Sequence, residues 1–579
     1  MLRGDLEQEL GRRVAAAVGS AFGLELTPAE AVIRPATPGR NADYQSNAAM
    51  PLARRLGLAP RDVATGIVGR LDLGDMLEPA RAEGAGFVNL LLRRDWLERH
   101  LTGLSTDDRL GVAPAAAPRR VVIDYSSPNV AKEMHVGHLR TTIIGDAIAR
   151  QLRFLGHTVI AQNHLGDWGT PFGMLIEHLV DEDRARGAGH SIADLGAFYQ
   201  EANRKSELDP AFTERARRRV VTLQAGDPAT LALWRELVAK SQEYFERIYD
   251  LLGVLLTPAD YRGESTYNDL LEDVVTELQD RGLAVPSDGA LVAFPAGFTG
   301  RDGQPVPLIL RKRDGGYGYD ATDLAAIRYR ARDLRADDIL YVVGGEQRLH
   351  LAMIFAEASE AGWLAHTRPV HVSHGLILGP DGKRLRSRSG DSVKLVELLE
   401  EAIDRAAEVV ADRSELSEGE RRSVARAVGI GAVKYADLSA DRDRDYVFDW
   451  DRMLATDGNT SVYLQYANAR IRSVIRRAGD EPDPTARILL GEAAERALAL
   501  RVAQLPTAVE ATTTHLQPHR LCTYLYETAV AFSTFYEGCP VLGAGTAELR
   551  ASRLALCALT SRALVLGLSL LGIEAPERL

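Results

Sequence analysis

An apolar run, Val121-Val122-Ile123, leads straight into DYSSPNVAKEMHVGH (Asp124 to His138), and that segment into a helical pattern, Leu139 to Leu155, which stops at Gly156. A strand, a tight turn and a helix in that order belong to a parallel sheet whose strand ends feed helix N-termini. His135, Gly137 and His138 then sit at such an N-terminus, where unpaired backbone N–H groups and the helix dipole favour a bound anion such as phosphate. Two histidines three apart share one face of the first turn, and Gly137 between them lets a ligand approach the backbone closely. The arrangement suits a nucleotide triphosphate better than a metal. Taken alone, the segment also fits a capped helix carrying two surface histidines.

At 579 residues the chain is too long for one core, so three or four domains are expected. Hydrophobic content of 46% and charged content of 26% describe an ordinary globular protein. No apolar run reads as a membrane span, and MLRGDLEQELGRR has no signal-peptide core. Cys522, Cys539 and Cys557 are widely spaced without a C-x-x-C pair, which argues against a zinc site or a disulfide framework and for a reducing cytoplasm. The net charge of −11 speaks against a general polyanion binder but leaves room for local patches. Arg215, Arg217, Arg218 and Arg219 form one candidate run, and Arg470, Arg472, Arg476 and Arg477 another.

Three parts are expected. Residues 1–112 read as an α/β module ending in the strand-like run Gly86 to Leu91, with a PAAAP linker at Pro114 to Pro118. Residues 113–410 alternate strand-like runs (Val121–Tyr125, Thr158–Gln162, Ile339–Val343, Val370–Ser373) with helices, the pattern of a Rossmann-type parallel sheet. A charged, mostly helical stretch over about 177–287 interrupts that pattern as an insertion. Residues 411–579 are helical throughout, as in Leu554 to Leu571. The fold class is therefore α/β with an all-α C-terminal domain.

Two further clusters carry chemistry. Tyr317-Gly318-Tyr319-Asp320-Ala321-Thr322-Asp323 precedes a helical run, Leu324 to Arg332, so Asp323 is expected to cap or open that helix. Tyr319 and Asp323, four apart, are placed to face one pocket. The third cluster is His374-Gly375-Leu376-Ile377-Leu378, followed by Asp381-Gly382-Lys383-Arg384-Leu385-Arg386-Ser387-Arg388-Ser389-Gly390, a basic, glycine-containing loop.

His135-Val136-Gly137-His138 resembles the HIGH signature of class I aminoacyl-tRNA synthetases, and Ser126 to Asp146 as a whole resembles its arginyl-tRNA synthetase version. Asn163 to Gly169 matches that family's NHLGDWG, with Pro171 standing where many relatives carry Gln. By this resemblance Asp124, Ser126, Ser127, Asn129, His138, Tyr319, Asp323 and Gln347 hold the arginine substrate, Asp323 accepting the guanidinium fork. His135, Gly137, His138, His374, Gly375 and Leu376 hold ATP. Leu385 to Ser389 stands where class I enzymes carry KMSKS, without either lysine; Lys132 and Arg388 are expected to supply the missing charge beside His135 and His138. Asp437 to Leu454 and Tyr463 to Ala467 resemble the anticodon-binding domain. Tyr463, Gln465, Tyr466 and Arg470 there, with Tyr44 and Asn47 in the N-terminal module, are expected to touch tRNA.

The resemblance implies ligation of arginine to its cognate tRNA by way of arginyl-adenylate, with Mg²⁺ arriving on ATP rather than in a protein cage. The partners implied are L-arginine, ATP and arginine tRNA, without a membrane, for a monomer in the cytoplasm. A tRNA-binding or regulatory paralogue without activity is the other reading of the same motifs. A nucleotidyl transferase acting on a small metabolite would leave the helical C-terminal third unexplained.

Overall fold

The computed structural model describes residues 4–37, 41–186, 195–313, 315–386, 393–411, 416–479 and 481–579. Its centre is a four-stranded parallel sheet in the spatial order Arg368–His371, Asp338–Tyr341, Arg120–Asp124, Thr158–Gln162. The register aligns Asp124 with both Gln162 and Tyr341, so the carboxyl ends of the strands form one edge. Strand order reverses between Arg120–Asp124 and Asp338–Tyr341. At such a reversal the loops part to opposite faces and leave a crevice for a ligand.

The first crossover helix, Gly137–Phe154, is buried on almost every side, which explains its weak amphipathic pattern. One side lies on the sheet; from another, Gln151 Nε2 donates to the carbonyl of Leu570 in the C-terminal bundle. Gly156 follows the helix with φ +86°, the left-handed conformation that lets the chain turn back into the next strand.

The stretch over about 177–287 is mostly helical, and a small antiparallel sheet begins at its end and continues past it. Helices Leu195–Leu208, Pro210–Gln224 and Pro228–Leu252 come first. Helix Asn268–Asp280 and an antiparallel sheet of Ala284–Ser287, Ala290–Ala293 and Leu308–Arg311 then carry the chain to the next catalytic helix. These strands are short and half exposed, so their apolar runs carry little periodic signal.

In the N-terminal module, helix Leu6–Phe22 packs with an antiparallel sheet in the order Ile33–Pro35, Tyr44–Ser46, Phe87–Leu90, Arg81–Glu83. That module docks on the C-terminal helices, where Arg496 Nη2 lies 2.6 Å from Asp43 Oδ2 and donates to Leu92 O. Helix Ala547–Leu570 is long and apolar enough to cross a membrane by length and composition, contrary to the expectation that no run was. It is apolar on most sides because it forms the buried centre of the bundle, with Leu556, Leu564 and Leu568 in the core.

Candidate active site

The loop between the first strand and its helix is built under strain. Ser126, Ser127 and Ala131 adopt φ of +74°, +48° and +59°, a conformation that costs non-glycine residues about 1–3 kcal/mol each. Buried hydrogen bonds hold it: Ser126 Oγ meets Tyr249 Oη at 2.8 Å, and Ala131 N donates to Ser241 Oγ at 2.9 Å. Both partners come from the insertion helix Pro228–Leu252. Ser126, expected to bind arginine, is 2% exposed and also takes a hydrogen bond from Thr142, so its hydroxyl is engaged within the loop. The Ser127 amide donates to Asn163 Oδ1, which anchors the NHLGDWG turn to this loop. Asn129 is exposed and packs flush on Gly166, where a Cβ would lie 2.1 Å from its Oδ1.

Helix Gly137–Phe154 begins inside the H-x-G-H segment, as the spacing requires. His135 and His138 face each other with ring centres 4.1 Å apart. The Gly137 N–H points at His135 Nδ1, which places the neutral ring's proton on Nε2, while His138 Nδ1 lies between the N–H and the carbonyl of His135, at 3.1 and 3.3 Å. Burial, then the neighbouring His135 and Lys132, push His138 down to about 4; burial and Lys132 lower His135 as well. The pair therefore places two neutral imidazoles at a helix N-terminus. Lys132 adds a charge, its Nζ lying 4.6 Å from the centre of the Tyr199 ring on an insertion helix.

Asp124 lies at the end of its strand with Arg330 Nη2 2.8 Å from one oxygen and Ser127 Oγ donating to the other. A buried arginine of the chain itself thus occupies the carboxylate expected to serve the substrate. Helix Tyr319–Arg332 begins at Tyr319 with Gly318 as its N-cap, four residues earlier than expected, so Asp323 neither caps nor opens it. Asp320 takes the first-turn position, accepting from Ile309 N at 2.5 Å. Tyr319 and Asp323 do meet at one place, around His350: Asp323 Oδ2 lies 2.6 Å from its Nε2 and the Tyr319 ring 5.2 Å from its ring. Gln347 is exposed at the end of the turn Gly345–Gln347 that leads to this histidine.

Glu264 completes the acidic side. Burial, then Asp323 and Asp167, push it up to about 8, as expected of a carboxyl crowded by others. Sequence reading passed over Glu264, Arg330 and His350. The signal for Glu264 lay in Gly263 before it, where a Cβ would meet Asp167 Oδ2 at 2.0 Å.

His374, Gly375 and Leu376 extend from the fourth strand beside the reversal point, the Gly345 amide donating to His374 O. The His374 Nδ1 lies 3.0 Å from Gly375 O, which leaves Nε2 a buried acceptor without a protein partner among the described residues. Burial pushes this imidazole down to about 4. The loop Asp441–Tyr446 braces the motif: Leu376 N donates to Asp445 Oδ1 and Gly375 N to Arg442 O. It reaches the H-x-G-H helix too, because Arg140 Nη1 donates to Arg444 O while its Nε lies 3.2 Å from Asp437. Arg388 lies outside the described residues. The chain after it returns to the histidine turn, Val136 N donating to Val393 O and Leu395 N to Met134 O.

Of the residues expected to touch tRNA, Tyr44 is fully buried with its hydroxyl on Gln504, and Gln465 is fully buried, donating to Ala427 O and Glu574 O. Both side chains lie inside the packing between elements in this structure rather than on its surface. Asn47 is half-buried just after the strand Tyr44–Ser46, its amide donating to Val32 O. Tyr463, Tyr466 and Arg470 lie on a half-exposed face of helix Ser461–Ala478, Arg470 stacked between Tyr466 and Tyr536. In the first arginine run, Arg215 and Arg219 pair with Glu177 and Arg218 with Glu214, so that patch is largely neutralised.

A strained strand-to-helix loop with paired neutral histidines, on a parallel sheet braced by a helical C-terminal bundle, defines a class I aminoacyl-tRNA synthetase. The family model for the catalytic domain of class I (R) tRNA synthetases matches residues 100–450. Models for the DALR anticodon binding domain and the arginyl-tRNA synthetase N-terminal domain match residues 464–579 and 8–92. The chain belongs to the arginyl-tRNA synthetase family. It is 56% identical to the arginine–tRNA ligase of Thermobifida fusca, covering 99% of this chain and 100% of that one, and 51% identical to that of Frankia casuarinae over 96% of each. Among solved structures, the arginyl-tRNA synthetase of Plasmodium falciparum superposes with a TM-score of 0.86 at 28% identity, covering 100% of both chains. That of Thermus thermophilus gives 0.82 at 25%, covering 99% of this chain and 100% of that one.

Proposed function

We propose that this chain is an active arginine–tRNA ligase, a cytoplasmic monomer that takes L-arginine, Mg²⁺-bound ATP and arginine tRNA. The observation that carries the reading is the paired-histidine turn at the start of helix Gly137–Phe154, with Tyr319 and Asp323 gathered around His350 on the helix that Arg330 ties to Asp124, the strand end before that turn. The turn suits a triphosphate, and the Asp323 carboxylate suits a cationic side chain.

The carboxylate of arginine, already ionised, attacks the α-phosphorus in line; a C–O–P linkage forms and pyrophosphate leaves. No general base is needed for this step, so the protein supplies positioning and charge neutralisation. His135 and His138 donate Nε2–H to phosphate oxygens, and Lys132 and Arg388 offset the charge that builds on the leaving group. A terminal ribose hydroxyl of tRNA then takes the arginyl group, releasing AMP. His374, Gly375 and Leu376 line the nucleotide side; Tyr319, Asp323 and Gln347 line the guanidinium side. Asn129 and Ser127 border the pocket, while Asp124, held by Arg330, sets the loop's position.

Within this reading residues 1–112 touch the outer corner of the tRNA, 113–410 perform catalysis with the insertion over about 177–287, and 411–579 bind the anticodon. Tyr463, Tyr466 and Arg470 supply the stacking and charge there. Arginine-dependent ATP–pyrophosphate exchange, with and without arginine tRNA and with lysine as control, tests it. Exchange is expected with arginine only. Its absence under both conditions, in a folded protein that still binds tRNA, overturns the reading.

A further inference from the structure

The carboxylate best placed for a guanidinium already has a partner. His350 Nε2 lies 2.6 Å from Asp323 Oδ2, and its Nδ1 3.6 Å from Asp320 Oδ1. That Asp320 oxygen is buried and has no hydrogen-bond partner, the other being spent on Ile309 N. Asp320 and Asp323 stand three apart on one helix face, where two like charges repel. An imidazolium between them satisfies both. We infer that His350 is the resident cation of the arginine pocket: it occupies Asp323 in the free protein, and the substrate guanidinium takes its place by exchange, with loss of the imidazole proton to solvent. The inference rests on Asp323 being the acceptor of the guanidinium.

The surroundings support exchange rather than simple addition. Burial lowers the His350 imidazole, but the Asp323 hydrogen bond and the charges of Asp323 and Asp320 carry it above its ordinary value. A guanidinium on Asp323 removes that hydrogen bond and sets a second positive charge beside the ring, which reverses the balance. Tyr319, from the same helix as the two aspartates, faces the ring as well. Glu346 and Arg348 on the segment leading to His350 are exposed. Glu264 faces Asp323 from the turn Glu264–Tyr267 and also sheds its proton as a cation enters. Exchange makes His350 a specificity residue: a neutral isostere such as citrulline cannot replace a cation on Asp323, and an ammonium replaces it at one point only.

Calorimetric titration of L-arginine into the full-length protein at about pH 6.5, in buffers of differing ionisation enthalpy, reads the protons released. Net release is expected for the unaltered protein, with the arginine KM in the exchange reaction falling several-fold from about pH 6 to about pH 8 and kcat changing less. His350→Gln is expected to lose the imidazole's share and make the KM profile shallower, and the double variant with Glu264→Gln to lose the remaining release and slope. No release from the unaltered protein overturns the inference, and so does equal release from His350→Gln. Undiminished arginine binding by Asp323→Ala overturns instead the pocket assignment on which it rests.

Discussion

Arg330 and Asp124 form an ion pair 2.8 Å long in which the arginine side chain is 1% exposed. The arginine sits on the helix that carries Tyr319 and Asp323, the aspartate at the strand end that leads to the histidine turn, and Arg330 Nε donates to Gln162 on the next strand. The helix of Tyr319 and Asp323 and the loop before the histidine turn are thereby held at a fixed separation. Arg330→Met strands a buried carboxylate, a loss of about 3–5 kcal/mol in comparable buried pairs. A matching fall in the urea midpoint, with no soluble active enzyme at elevated temperature, is the expected outcome. An unchanged midpoint would show that the pair is dispensable.

Asp323→Ala and Lys132→Ala should part company in steady-state exchange. Loss of a charged acceptor costs about 1.5–3 kcal/mol of binding, or roughly ten- to a hundredfold in the arginine KM. Lys132→Ala should leave that KM near its original value and depress kcat, since its charge matters as pyrophosphate departs. Equal, small effects from both would undo the assignment of sides.

Three buried histidines should make the fold sensitive to mild acid. His100, His138 and His374 are each held down to about 4 chiefly by burial, against an ordinary 6.5. Between those values each of these three imidazoles binds more proton in the unfolded chain than in the folded one, so the stability they contribute falls as pH drops from about 6.5 towards about 4. Urea midpoints at intervals across that window measure it; His100→Gln should flatten the slope without touching the site.

Gln465→Ala and Arg470→Ala separate scaffold from tRNA contact. The first removes donors to Ala427 O and Glu574 O and should lower the melting temperature while leaving the tRNA KM unchanged at permissive temperature. The second should raise that KM with little change in stability, because its side chain lies on a half-exposed aromatic face. A raised tRNA KM for Gln465→Ala alone would reverse the two roles.

Features set by near neighbours along the chain are legible in the amino-acid sequence alone. The apolar run, turn and Gly-stopped helix around His135 to Gly156 specify strand, loop and helix N-terminus because periodicity and backbone freedom act over a few residues. The spacing of Tyr319 and Asp323 suggested one pocket, but only the structure, which starts the helix at Tyr319, put both on one helix. Which of these groups is free to meet a ligand was decided by packing in three dimensions. Asp124, Ser126, Tyr44 and Gln465 look like site residues in one dimension, yet each is spent on a partner from a distant segment. Glu264 and His350 look ordinary along the chain and gain their character from carboxylates brought beside them. Hydrogen-bonding capacity and charge compensation are settled between segments, since a buried polar group must be paired by whatever the fold brings near it.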